Sequence, residues 1–201
     1  MTATPPIYGF DLVTNADGAS IDPFTNRVVA IGLSTPSGDE LYDSSEAEIL
    51  RMVDTRLSML PPGILTCWQG SLVALPFLSC RAEALDIPIA MTLHEDRRTD
   101  LTGALDGITH PWLVSWHGHR HLDLKRVYAS EGRRRLNRRG KVDPETFIPA
   151  ADPLANRQPQ RDAKLARSLA ERRWNQAKRH VDQLPDQAQS ASVLQTLQAA
   201  E

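Results

Sequence analysis

The sequence predicts an α/β fold, a mixed sheet carrying helices, on three observations. Short apolar runs of strand length at residues 7–14, 27–35, 64–68 and 112–116 are interspersed with segments of helical period. The early runs are joined by short Gly- and Pro-containing turns at hairpin spacing, whereas the later ones are separated by helix-length segments. A hydrophobic content of 41% in 201 residues supports one ordinary core with a tail.

The first run, Ile7–Thr14, is apolar on both sides of a single acid, Asp11. A strand buried on both faces tolerates a carboxylate only with a metal or a hydrogen-bonding partner, so Asp11 points to a present or former metal site. A polar loop with Gly18 and Asp22-Pro23 leads to a second strand at 27–35. Pro36-Ser37-Gly38-Asp39 then turns into a short third strand at 40–42. Ser45 and Glu48 form a capping box, and Ile49, Val53, Leu57 and Leu60 share one helical face until Pro61-Pro62-Gly63 ends it.

Residues 64–68 read as a buried strand, and Gln69-Gly70-Ser71 turns into an apolar helix over 72–85. Residues 87–111 read as loop with one short strand at most. The strand at 112–116 is expected to continue through His117 to Asp123 and into a helix start at 124–128. A long exposed loop, basic and then Pro-rich, is expected over 132–160. Helical pattern returns over 161–181, with Leu165, Ala166 and Leu169 on its inward side, and 182–201 reads as a tail. The expected division is therefore one domain, 1–181, followed by that tail.

Charge is unevenly spread. Residues 1–119 hold 6 Lys/Arg against 15 Asp/Glu, a net of −9, whereas residues 120–180 hold 17 against 7, a net of +10. A basic third on an acidic body suits a phosphate backbone as partner; it also suits a solvated surface that balances the acids. Cys67 and Cys80 lie in or near apolar runs and read as core thiols. With no signal peptide and no apolar stretch long enough to cross a bilayer, a reduced cytoplasmic protein without a membrane partner is expected.

Three motifs carry a resemblance. They are Phe10-Asp11-Leu12-Val13-Thr14, the stretch Trp68-Gln69-Gly70-Ser71-Leu72-Val73-Ala74-Leu75-Pro76-Phe77-Leu78, and Gln158 four residues before Asp162 on a helix. His119-Arg120-His121-Leu122-Asp123-Leu124 adds a further element. From about Ile7 to Trp174 the chain resembles the DnaQ-like, or DEDD, 3′-to-5′ exonucleases of the ribonuclease-H-like fold. That resemblance implies a two-metal site of four acids with a Tyr or His orienting water. On it, this chain keeps Asp11 and Asp162 and puts Val13, Ala74 and Gln158 at the other three positions.

Two-metal hydrolysis needs oxygen ligands holding two hard cations about 3.5–4 Å apart. Val13 and Ala74 offer methyl surface instead, so the resemblance implies a degenerate site, with no cofactor required and at most one weakly held Mg²⁺ or Mn²⁺ at Asp11 and Asp162. An alternative metal set is His119, His121 and Asp123, since alternate residues on an extended chain face one way. Its bland counterpart is polar packing at the sheet end. Arg133, Arg134, Arg135, Arg138, Arg139 and Lys141 are the candidate phosphate contacts, with Trp116 and Trp174 as candidate stacking surfaces and Trp68 read as core.

Three functions follow as expectations: a degenerate exonuclease-like domain binding single-stranded DNA or RNA without efficient hydrolysis, an active exonuclease with a rebuilt metal site, and a protein-interaction module. An open groove joining Asp11, Asp162 and Asp123 favours the first two. Apolar packing by Val13 and Ala74 favours the third.

Overall fold

The structure is a computed structural model that describes residues 4–15, 21–96, 111–128 and 158–181. Seven strands form one sheet in the order β3-β2-β1-β4-β7-β6-β5. They are β1 (Ile7–Thr14), β2 (Val28–Thr35), β3 (Gly38–Tyr42), β4 (Ile64–Cys67), β5 (Met91–Glu95), β6 (Trp112–Trp116) and β7 (His119–Asp123). β1 runs antiparallel to β2 and β2 to β3, β1–β4 and β4–β7 are parallel, and β7–β6 and β6–β5 are antiparallel. The sheet is therefore mixed, as expected.

Alternation along β1 divides the molecule into layers. Tyr8, Phe10 and Leu12 enter a large core with Ile49, Leu50, Val53 and Leu57 of α1 (Glu46–Ser58) and with Leu75, Phe77 and Leu78 of α2 (Leu75–Ala84). Ile7 instead enters a second core with Ile64, Leu122 and the helices that follow, namely α3 (124–128), α4 (Gln158–Arg172) and α5 (Trp174–Val181). The capping box of Ser45 and Glu48 is present at the start of α1. No described helix is long and apolar enough to cross a membrane.

Three elements differ from the sequence reading. β6 does not continue to Asp123: His117 (φ 48°) and Gly118 (φ 78°) both adopt left-handed backbone, the conformation of a tight two-residue hairpin turn, so the chain reverses into β7. The apolar helix after β4 begins as a π-helical turn, Gly70–Ala74, because Gln69 (φ 57°) bends the chain there before α2 starts. The helix expected from 161 begins at Gln158, so the last three residues of the expected 132–160 loop are helical.

The inward face of α4 also differs. Its buried residues are Pro159, Ala163, Ala166 and Ala170, while Leu165 is 57% exposed. Small residues face the sheet because the helix lies almost against its backbone. A β-carbon on Gly9 would stand 1.7 Å from the Ala163 carbonyl oxygen, and one on Gly32 would stand 2.2 Å from the carbonyl carbon and oxygen of Pro159. A leucine has no room in that contact, so Leu165 faces outward. The 182–201 tail expected from the sequence lies outside the described residues.

Candidate functional site

Asp11 sits on the α4 side of β1, between Gly9 and Val13, and is paired in register with Gly32 of β2. The two glycines let the first turns of α4 settle over this stretch, which brings Asp162, the residue before Ala163, to bear on Asp11. Burial pushes the Asp11 carboxyl well above the usual carboxylate range, and the neighbouring Asp162 charge pushes it further, against a hydrogen bond donated by the Leu12 backbone N–H. Burial also raises Asp162, opposed by the Gln158 side-chain hydrogen bond and the nearby Arg161 charge. Gln158 thus stands one helical turn before Asp162 and touches it.

The remaining positions are apolar and closed. Val13 is 8% exposed and Ala74 is 9% exposed, with Ala74 packed in the large core. A pair of divalent ions does not fit this donor set, because two carboxyls already repelling each other are the acids brought together and methyl groups occupy the other positions. One cation between Asp11 and Asp162 matches the chemistry of the pair, since it would relieve their mutual repulsion.

The alternative metal set is not assembled. His119 has both ring nitrogens engaged with backbone: Nδ1 accepts from the Gly63 N–H at 3.1 Å, and Nε2 donates to the Leu57 carbonyl oxygen at 2.9 Å. His121 is buried with Nε2 3.0 Å from Cys67 Sγ, and burial lowers its pKa to about 4. Asp123 accepts from the backbone N–H groups of Gln69 and Ser71, each at 3.1 Å, from Ser71 Oγ at 2.5 Å and from the Lys125 N–H at 2.9 Å. These three residues are fasteners: His119 ties β7 to the end of α1, and Asp123 holds the π-helical turn. Among the described residues no group of three His, Cys, Asp or Glu side chains is placed to hold a metal ion. His117, in the hairpin turn, lies 3.0 Å from Asp54 Oδ1 and belongs to neither set.

Arg133, Arg134, Arg135, Arg138, Arg139 and Lys141 lie outside the described residues. Trp116 is fully buried and donates its indole N–H to Asp54 at 2.7 Å, which removes it as a stacking surface. Trp68 and Trp174 are partly buried against the second core. Cys67 and Cys80 are both buried and free, as expected of core thiols, and burial raises both thiol pKa values. What the sequence reading missed are Gly9 and Gly32, which seat α4; the available signal was a glycine interrupting each strand run.

No family model matches the chain, and no curated protein matches it. Among solved structures, the family B DNA polymerase from the hyperthermophilic archaeon Pyrobaculum calidifontis is similar, with a TM-score of 0.58 and 19% identity over 85% of this chain. The match spans 24% of that polymerase, and at such identity it is a likeness of fold alone. The chain therefore has a ribonuclease-H-like α/β fold, with Asp11 and Asp162 meeting where β1 lies under the start of α4.

Proposed function

We propose that this chain is a DnaQ-like exonuclease scaffold that has lost two-metal hydrolysis and binds single-stranded nucleic acid without cutting it. One observation carries the reading: Asp11 and Asp162 still bear on each other, while buried Val13 and Ala74 occupy positions where the resemblance implies acids. Removing several members of a catalytic unit removes most of what the unit achieved together. Because Val13 and Ala74 are packed closed, contact with the strand falls to the basic part of the chain rather than to the old cleft.

The test is one panel of end-labelled single-stranded DNA and RNA, assayed for binding at low salt and for shortening with Mg²⁺ and Mn²⁺. Binding without shortening is the expected result. Metal-dependent shortening abolished by Asp11→Asn overturns it. The closure around Val13 and Ala74 also favours a second reading, a protein-interaction module on the same scaffold; absence of binding to every strand in the panel selects that reading. The rebuilt-metal-site alternative loses the ligands it needed, since His119 and Asp123 are spent on backbone hydrogen bonds.

A further inference from the structure

Residues 158–181 carry seven Lys/Arg against two acids, and α5 carries no acid at all. Both acids are engaged: Asp162 with Asp11, and Glu171 with Arg167 at 3.4 Å. Lys164 is paired with Asp39 at 2.8 Å. Of the remaining five, Arg173 is half-buried, and Arg161, Arg172, Lys178 and Arg179 are exposed and without a salt bridge among the described residues. Solvated helices gain a few tenths of a kcal/mol by interleaving acids with such cations at three- and four-residue spacing, and lose about as much where like charges face each other.

The tertiary structure adds one cation from a distant part of the sequence. Val127 and Tyr128 of α3 share the second core with Ala177 and Val181 of α5, and the Arg173 guanidinium lies 5.7 Å above the Tyr128 ring. This places Arg126 of α3 near His180 at the basic end of α5, with its guanidinium tied to buried Asp96 at 3.0 Å. A cleft of about 50 Å³ lies between the two helices and the sheet, with Arg126, His180, Asp96, Asp123 and Trp112 among its walls. The Trp112 indole N–H is buried without a hydrogen-bond partner among the described residues. The helix dipole favours Arg172 in the last turn of α4 and Lys178 and Arg179 in the last turn of α5, but it does not account for the absence of any acid from residues 172–181.

We propose that the face made by the end of α4 and α5, through the exposed Arg172, Lys178 and Arg179, grips the backbone phosphates of single-stranded nucleic acid. This rests on the nucleic-acid reading above and gives it a surface other than the Arg133–Lys141 run. Phosphate contacts of this kind set affinity and its salt dependence, with little preference for sequence. Residues 1–119, with a net of −9, repel the same strand.

The experiment is fluorescence anisotropy with labelled single strands of about 20 nucleotides across a salt series, comparing the wild-type chain with R172Q/K178Q/R179Q. Glutamine keeps helix propensity, and circular dichroism checks the fold. Arg51→Gln, an exposed cation on α1, is the control. Single-strand binding changes its logarithmic salt slope by about 0.7 per phosphate contact, so the triple variant should lose about 2 from the slope while the control keeps it. Its affinity should fall more than about tenfold at moderate salt. A wild-type chain that binds and a triple variant with the same slope overturn this surface and leave the binding reading intact. A wild-type chain that binds no strand at low salt overturns both.

Discussion

Gly9 of β1 and Ala163 of α4 touch so closely that a single added methyl on Gly9 would collide with the Ala163 carbonyl oxygen, at 1.7 Å. Backbone opposes backbone there, so no side-chain rotation relieves the clash. The meeting of Asp11 and Asp162 depends on this contact, because Asp162 is carried by the same helical turn.

Gly9→Ala should therefore destabilise the protein by about 3 kcal/mol, the upper part of the range for overpacking, and Gly32→Ala should act in the same direction. Urea unfolding followed by circular dichroism measures it. In any folded Gly9→Ala population the Asp11 pKa should move down, since the lifted helix takes the Asp162 charge away; carboxyl NMR titration reads that shift. A stable variant with an unchanged Asp11 would show that α4 is not held by this contact.

The raised pKa of Asp11 has a definite sign in stability. Between the ordinary carboxylate value and the higher folded value, the folded state binds more protons than the unfolded one, so stability falls as pH rises through that window. Asp11→Asn should raise the melting temperature at pH 7, with each unit of elevation worth about 1.4 kcal/mol, and the gain should vanish below about pH 4. A variant less stable than wild type at pH 7 would mean that the charged form has a stabilising partner.

His121 acts in the opposite sense. Its folded pKa of about 4 lies below the unfolded value of about 6.5, so the unfolded state takes up the proton first and stability is lost as pH falls across that interval. The full difference corresponds to roughly 3 kcal/mol. His121→Leu should flatten the melting-temperature profile between about pH 6.5 and pH 4, and an unchanged slope there would assign the acid sensitivity to other groups.

Asp123→Ala should cost about 2 to 4 kcal/mol, because two buried N–H donors and the Ser71 hydroxyl lose a charged acceptor. Thermal unfolding gives the size. Metal analysis before and after the substitution should show no difference, and loss of a bound metal with Asp123 would restore that residue to a ligand role.

Hydrolysis of labelled single strands should be about 10⁴-fold or more below that of a complete four-acid site, with Mg²⁺ or Mn²⁺ making little difference. Gel analysis of a long incubation measures the residue of activity. Shortening at an ordinary exonuclease rate would require metal ligands other than Val13 and Ala74 supply.

The strand runs, the capping box of α1 and the turn at Pro36-Ser37 were legible in the sequence because each is specified by neighbours a few residues apart. The boundaries of β1 and α1 follow from local period and local turn chemistry. The course of residues 117–123 was misread because hydrophobic alternation does not distinguish a straight strand from a hairpin whose two-residue turn rests on the left-handed backbone of His117 and Gly118. The inward face of α4 was misread for a related reason: apolarity favours Leu165, but the spacing between helix and sheet favours Ala163, and that spacing is set by glycines more than a hundred residues away.

The site divides in the same way. The sequence by itself determined which residue types stand at the key positions, hence the shortage of acids around Asp11 and the excess of cations beyond residue 120. Only the tertiary structure decided which of them meet. It joined Asp11 to Asp162, turned His119 and Asp123 into hydrogen-bonded fasteners, and set Arg126 near His180 of α5. The physical reason is that ligand sets and charged faces depend on distances across the sheet, whereas composition and periodicity report only on distances along the chain.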